Sequence, residues 1–307
     1  MPCLRGPGRA FALPLALALA ACVPTREHVQ RRYARALDPA SVRAAATAAP
    51  PVTRALTLRA WADAGYRGHA PDWRERIAGQ VERANAVLAA DFGVRLEVES
   101  IREWDHADGG PDLGDVLEAL AGVDAAREVD WVVGFVGPAP EDPASASQNI
   151  GIASLFGRHL VLRAMQTSAE AAQFDVWYDA LPEDERRTLA HERRVHMEVS
   201  VLLHEWGHTL GAADECADKW IMRKDYSLLY SSFSPESARL VRVGLEHRDA
   251  RTAEAAERWA SAWRAEALRM QGAAWECANL EKGLARGDEV LTRRIARLRR
   301  AAGGAPD

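Results

Sequence analysis

Cysteine is scarce in this chain, with 4 in 307 residues, and that excludes a small scaffold stapled by a dense disulfide framework. Neither charge sign dominates. A formal net charge of −5 and a pI near 6.0 give no global field to attract a polyanion, so no nucleic-acid partner is expected. The ten tryptophans are scattered from Trp61 to Trp275 and form no stacking platform for bases. No internal repeat is visible, and no apolar run is long enough to cross a bilayer. What remains is 48% hydrophobic and 27% charged, ordinary for a globular protein and ample for a substantial core.

The N-terminus differs from the rest. Arg5 and Arg9 precede an apolar stretch from Phe11 to Ala21 that has the shape of an export-signal core. It ends in Leu19-Ala20-Ala21-Cys22, which resembles the bacterial lipobox. That resemblance implies cleavage after residue 21 and acylation of Cys22, with each buried CH₂ contributing about 0.8 kcal/mol to membrane anchorage. The alternative is an ordinary signal peptide with an incidental cysteine. Val23 in place of Asp after the cysteine points, by the same resemblance, to the outer membrane of a Gram-negative cell. Residues 1–21 are therefore read as a lipoprotein signal peptide and 22–52, rich in Ala, Arg and Pro, as a tether. Loss of Cys3 and acylation of Cys22 leave Cys216 and Cys277, a candidate disulfide in an oxidising envelope, with two free thiols as the alternative.

From Thr53 the pattern becomes that of a folded domain. Leu56, Leu58 and Ala60 alternate with Thr57, Arg59 and Trp61 as in a half-buried strand. Asp72 with Glu75 marks a helix start, and Ile77, Val81, Ala84 and Leu88 continue at helical spacing to Gly93. Val94, Leu96 and Val98 suggest a second strand, Asp112 to Leu120 a short helix, and Trp131 to Val136 a buried strand. Ile150 to Ala153 and His159 to Arg163 read as one bent or two short strands. A long helix is expected from about Glu185 to Leu210, and two or three helices follow Pro235. The layout is α+β, a sheet backed by helices, with a domain over 53–245 and a helical extension over 246–307.

The chemistry concentrates in His204-Glu205-Trp206-Gly207-His208-Thr209-Leu210-Gly211-Ala212-Ala213-Asp214. Histidines four apart on a helix point within about 40° of each other, so both imidazoles reach one ion. Glu205, one step round, can touch a water on that ion without taking a coordination position. Gly211 can turn left-handed, end the helix and bring Asp214 back as a third ligand. Three protein ligands with a place for water is the composition of a catalytic Zn²⁺ site, where the water's pKa falls to about 7. The full pattern arises in a random shuffle about once in 10,000. A closed His/His/Asp/Cys site using Cys216 is disfavoured because Asp214 and Cys216 are only two residues apart.

This run resembles the signature of the metzincin clan, with Asp in the third place as in the snapalysin-like peptidases, where most of the clan has His. The resemblance implies a zincin-like domain with a mixed twisted sheet and an active-site helix, one zinc ion, and Glu205 as general base. Met222 stands where matrixin-like members carry the Met-turn, and Tyr226 or Tyr230 is a candidate oxyanion stabiliser. The strand near Gly151 to Leu162 is implied as the cleft's rim, where an extended peptide substrate pairs with the sheet. Histidines 191 and 196, with Glu192, imitate the motif, but a spacing of five sets the rings about 140° apart. Arg293, Arg294, Arg297, Arg299 and Arg300 read as a solvated helix face before a lipid contact. The function expected is a zinc endopeptidase exported and lipid-anchored in the envelope. Its rivals are a silent zinc-binding scaffold and a zinc hydrolase of non-peptide substrates.

Overall fold

The computed structural model describes residues 52–106, 112–138, 150–165, 182–216, 220–224, 232–273 and 277–302. The expected signal peptide, Cys22, nearly all of the 22–52 tether, Tyr226 and Tyr230 lie outside the described residues.

Five strands form one sheet: β1 (Arg54–Ala62), β2 (Val94–Glu103), β3 (Trp131–Val136), β4 (Gly151–Ala153) and β5 (His159–Arg163), in the order β2-β1-β3-β5-β4. All neighbours run parallel except β4, which is antiparallel to β5 at the edge. The sheet is therefore mixed. Side chains alternate between its faces. Leu56, Leu58, Trp131, Val133, Phe135, Leu160 and Leu162 enter one core, while Val132, Val136 and Val161 enter another on the opposite face.

The first core is closed by helix α2 (Trp73–Phe92), which buries Ile77, Val81, Ala84 and Leu88, the stripe its spacing predicts. Gly93 ends α2 at φ 65°, and the Asn85 amide bonds both N–H and C=O of Leu96, fixing β2 against the helix. Asp72 does occupy the N-cap, but its side chain makes no capping bond; only its carbonyl accepts, from Arg76. The second face is covered by α3 (Leu113–Val123) through Leu113, Val116 and Leu120.

A short helix, α1 (Ala64–His69), follows β1 where sequence periodicity shows nothing. It is held by buried Asp63, whose carboxylate accepts from Tyr66 N and Gly137 N. Arg59, on the supposedly solvated face of β1, is also buried, and its guanidinium reaches Glu99, Asp124 and Glu128.

Helix α4 (Glu183–Thr209) lies on the same core as α2, tied to it by the Arg76–Glu198 ion pair. Helices α5 (Pro235–His247), α6 (Ala253–Ala273) and α7 (Ala278–Ala302) follow. They enclose a further core of Trp259, Trp263, Leu280, Leu284 and Leu291, which also takes in Phe156, Ala213 and Leu240. Cys216 and Cys277 form a disulfide in this structure, with their Cα atoms 5.9 Å apart. Among the described residues no helix is long and apolar enough to cross a membrane.

Candidate active site

Helix α4 needs a reason to carry two polar imidazoles and a carboxylate in its last turns, because the side it packs on the core is largely apolar. Leu202, Leu203 and Trp206 are buried on the core side, and Trp206 packs against Trp131, Phe92 and Phe233. That apolar anchorage turns His204, Glu205 and His208 to the other side. Trp206 is thus a packing residue. The helix ends at Thr209, and Gly211 takes φ +94°, the left-handed turn expected of it.

The turn brings Asp214 back. Its Oδ1 lies 3.2 Å from His204 Nε2 and 3.4 Å from His208 Nε2, and the two Nε2 atoms are 3.0 Å apart. Each ring's other nitrogen faces a backbone carbonyl at 2.9 Å, Ile221 O for His204 and Ala212 O for His208. Carbonyls only accept, so both Nδ1 atoms donate and both Nε2 lone pairs point inward. Asp214 Oδ1 is buried and finds no hydrogen-bond donor. Three acceptors therefore converge, an arrangement that requires a cation or a proton at its centre.

Zinc fits the donor set. Tetrahedral zinc with bonds of about 2.0–2.1 Å separates its ligands by about 3.3 Å, close to the three distances found. Without a cation the cluster draws in a proton: burial works against it, but Asp214 and Glu205 hold His208 up at about 9. Asp214 is held well below the carboxylate range, since the two histidines outweigh its burial. Among the described residues no other group of His, Cys, Asp and Glu converges like this. Histidines 191 and 196 do not share a centre, and burial pushes His196 down to about 4.

Glu205 is buried, and burial pushes its carboxyl up, against the pull of the two histidines. The edge strand sits directly on it. A Cβ on Gly151 would fall 2.7 Å from Glu205 Oε1. Gly151 is a site residue that sequence alone does not single out.

Met222 is buried beneath the histidine turn, where a Cβ on Gly207 would meet its sulfur at 2.7 Å. Its carbonyl accepts from Glu215 N at 2.7 Å, anchoring the segment just past Asp214. Glu215 is itself buried and accepts from Ser234 and Ser237, so α5 also steadies this loop. Gly211 is clamped from behind: its carbonyl accepts from Trp263 Nε1 at 2.9 Å, and the Phe156 ring fills the place of a side chain. Neither Glu215 nor the Phe156–Trp263 clamp is visible in the sequence, since both join segments far apart.

The model of metallo-peptidase family M12 (Reprolysin_5) matches residues 52–241. No curated protein matches the chain. Among solved structures, archaemetzincin from Methanopyrus kandleri is similar at 21% identity and a TM-score of 0.42, over 64% of this chain and 98% of its own. A chaperone–substrate complex aligns at 11% identity and a TM-score of 0.39, over 64% of this chain and 35% of its own.

Proposed function

The chain belongs to metallo-peptidase family M12, and on that premise we propose that it is a zinc-dependent endopeptidase whose zinc would be held by His204, His208 and Asp214, with Glu205 as its general base. The observation that carries the reading is the convergence of three hydrogen-bond acceptors beside a buried carboxylate. Zinc, when bound there, supplies the Lewis acidity that makes water a usable nucleophile near neutral pH.

The residues supply the rest. Ile221 O and Ala212 O fix the tautomer and direction of both rings. Glu205, raised by burial, is suited to take a proton from water and return it to the leaving amine. β4 ends the strand order, and among the described residues nothing pairs with its outer edge. An extended peptide can add there as a further strand, which sets its backbone beside Glu205. A peptide substrate is favoured over a small ester for that reason. The Leu19-to-Cys22 run supports an exported, lipid-anchored protein of the Gram-negative outer membrane.

The test is zinc content and cleavage of a mixed peptide library by wild type, Glu205→Ala and Asp214→Ala. One zinc per chain and cleavage are expected in the wild type. Glu205→Ala should keep zinc and lose at least about a hundredfold in rate. Asp214→Ala should lose zinc. Equal rates with Glu205→Ala refute its role as base, and a zinc-loaded wild type that cleaves nothing would favour a silent scaffold.

A further inference from the structure

Away from His204 and Asp214, the turn after β4 and the face of α7 enclose a cavity of ≈ 210 Å³, walled by Phe156, Arg158, His159, Arg248, Arg294 and Arg297. Four arginines line it. Arg248 pairs with Asp130 at 3.1 Å and lies over the Trp131 ring. Arg158 pairs with Asp249 at 2.7 Å. Arg294 spends its N–H groups on two carbonyls, Phe156 O and Ala250 O, and has no carboxylate partner among the described residues. Arg297, one helical turn on, is exposed and likewise has no ion pair among them. Two carboxylates thus answer four cations.

This surplus is partly desolvated, because Arg248 is buried and Arg294 half-buried. Like charges gathered out of water cost free energy unless an anion is shared among them. Burial and the neighbouring Arg297 and Arg158 push Arg294 down from the ordinary arginine range, which registers that cost. The guanidinium fork matches the oxygens of phosphate and carboxylate. At this size the cavity is below the range of drug-sized ligands, so it suits a small group.

We propose that this cavity is an anion-binding site for a phosphate monoester or free phosphate, a dianion whose charge matches the unpaired Arg294 and Arg297. It is distinct from the metal site and does not depend on the peptidase reading. The phosphate can come from solution or from a lipid headgroup, which share this chemistry.

The full chain in neutral detergent, zinc-loaded and after chelation, would be titrated calorimetrically with inorganic phosphate and with dihexanoyl phosphatidic acid. One saturable site is expected, unchanged by chelation, with a rise in Tm. Arg297→Gln alters only an exposed side chain and should weaken binding about tenfold or more. Arg294→Gln with Arg297→Gln should abolish it, and the single variant carries the test if the double one does not fold. Tighter binding of the lipid assigns a headgroup, and equal or weaker binding assigns soluble phosphate. Absence of saturation by either probe overturns the proposal. So does binding that Arg297→Gln leaves intact, or binding that chelation removes.

Discussion

Gly151 matters for what it lacks. With no side chain, it lets the edge strand lie against Glu205, and a methyl group there would meet the carboxylate at 2.7 Å. Real Cβ atoms do not approach so closely, so Gly151→Ala must push Glu205 or β4 aside. A displacement of about 1 Å at a reacting group costs on the order of a hundredfold. We expect Gly151→Ala to lower kcat by about ten- to a hundredfold while KM moves less and bound zinc stays at the wild-type level. An unchanged kcat would mean that Glu205 tolerates displacement. The histidines and Glu205 were legible in the sequence because helical spacing is a local rule. Gly151 was not, because its partner lies on another element and only the folded sheet brings them together. Asp214 is intermediate: its return depends on Gly211, which is local, but also on Phe156 and Trp263, which are not.

Among the elements, α2 and β2 could be read directly because their periodicities report burial against one core, and β3 because its unbroken apolar run reports burial on both faces. α1 could not. Six residues containing two glycines hold no apolar stripe, and the helix exists because Asp63 caps it while accepting from Gly137 N just past β3. Arg59 misled for a related reason: a polar residue in an alternating strand signals solvent, yet Asp124 and Glu99 make its burial tolerable. The Cys216–Cys277 bridge joins the loop just past Asp214 to the start of α7, closing a sequence separation of 61 residues. A loop of that length corresponds to about 4 kcal/mol of unfolded-state entropy at most. Cys216→Ser with Cys277→Ser is therefore expected to lower unfolding free energy by about 2–4 kcal/mol and to weaken zinc binding. Denaturant titration and competition with a chelator would measure the two effects. Unchanged zinc affinity would show that Met222 and Glu215 hold the loop without the bridge.

The whole molecule has no clean break where the family match ends. Residues beyond 241 supply Trp263, which holds Gly211, and the same helices share a core with Phe156 and Ala213. The sequence marked these helices as an extension because periodicity shows a buried face without showing what it is buried against. A chain ending at Ala250 would expose that core and free the Gly211 turn. It is expected to aggregate or to unfold without a single cooperative transition, and to bind zinc weakly, as checked by calorimetry and metal content. A soluble truncated chain with full zinc affinity would show the helices to be dispensable.

The Trp263–Gly211 bond also sets an order of events during synthesis. The ribosome makes the two histidines long before Trp263, and Cys277 later still. Until those residues emerge, the segment from Gly211 to Cys216 lacks both its Trp263 bond and its disulfide, so the arrangement around Asp214 is completed late. The late helices thereby act as a clock: the Gly211 turn that carries Asp214 waits for residues made well after it, Trp263 and Cys277.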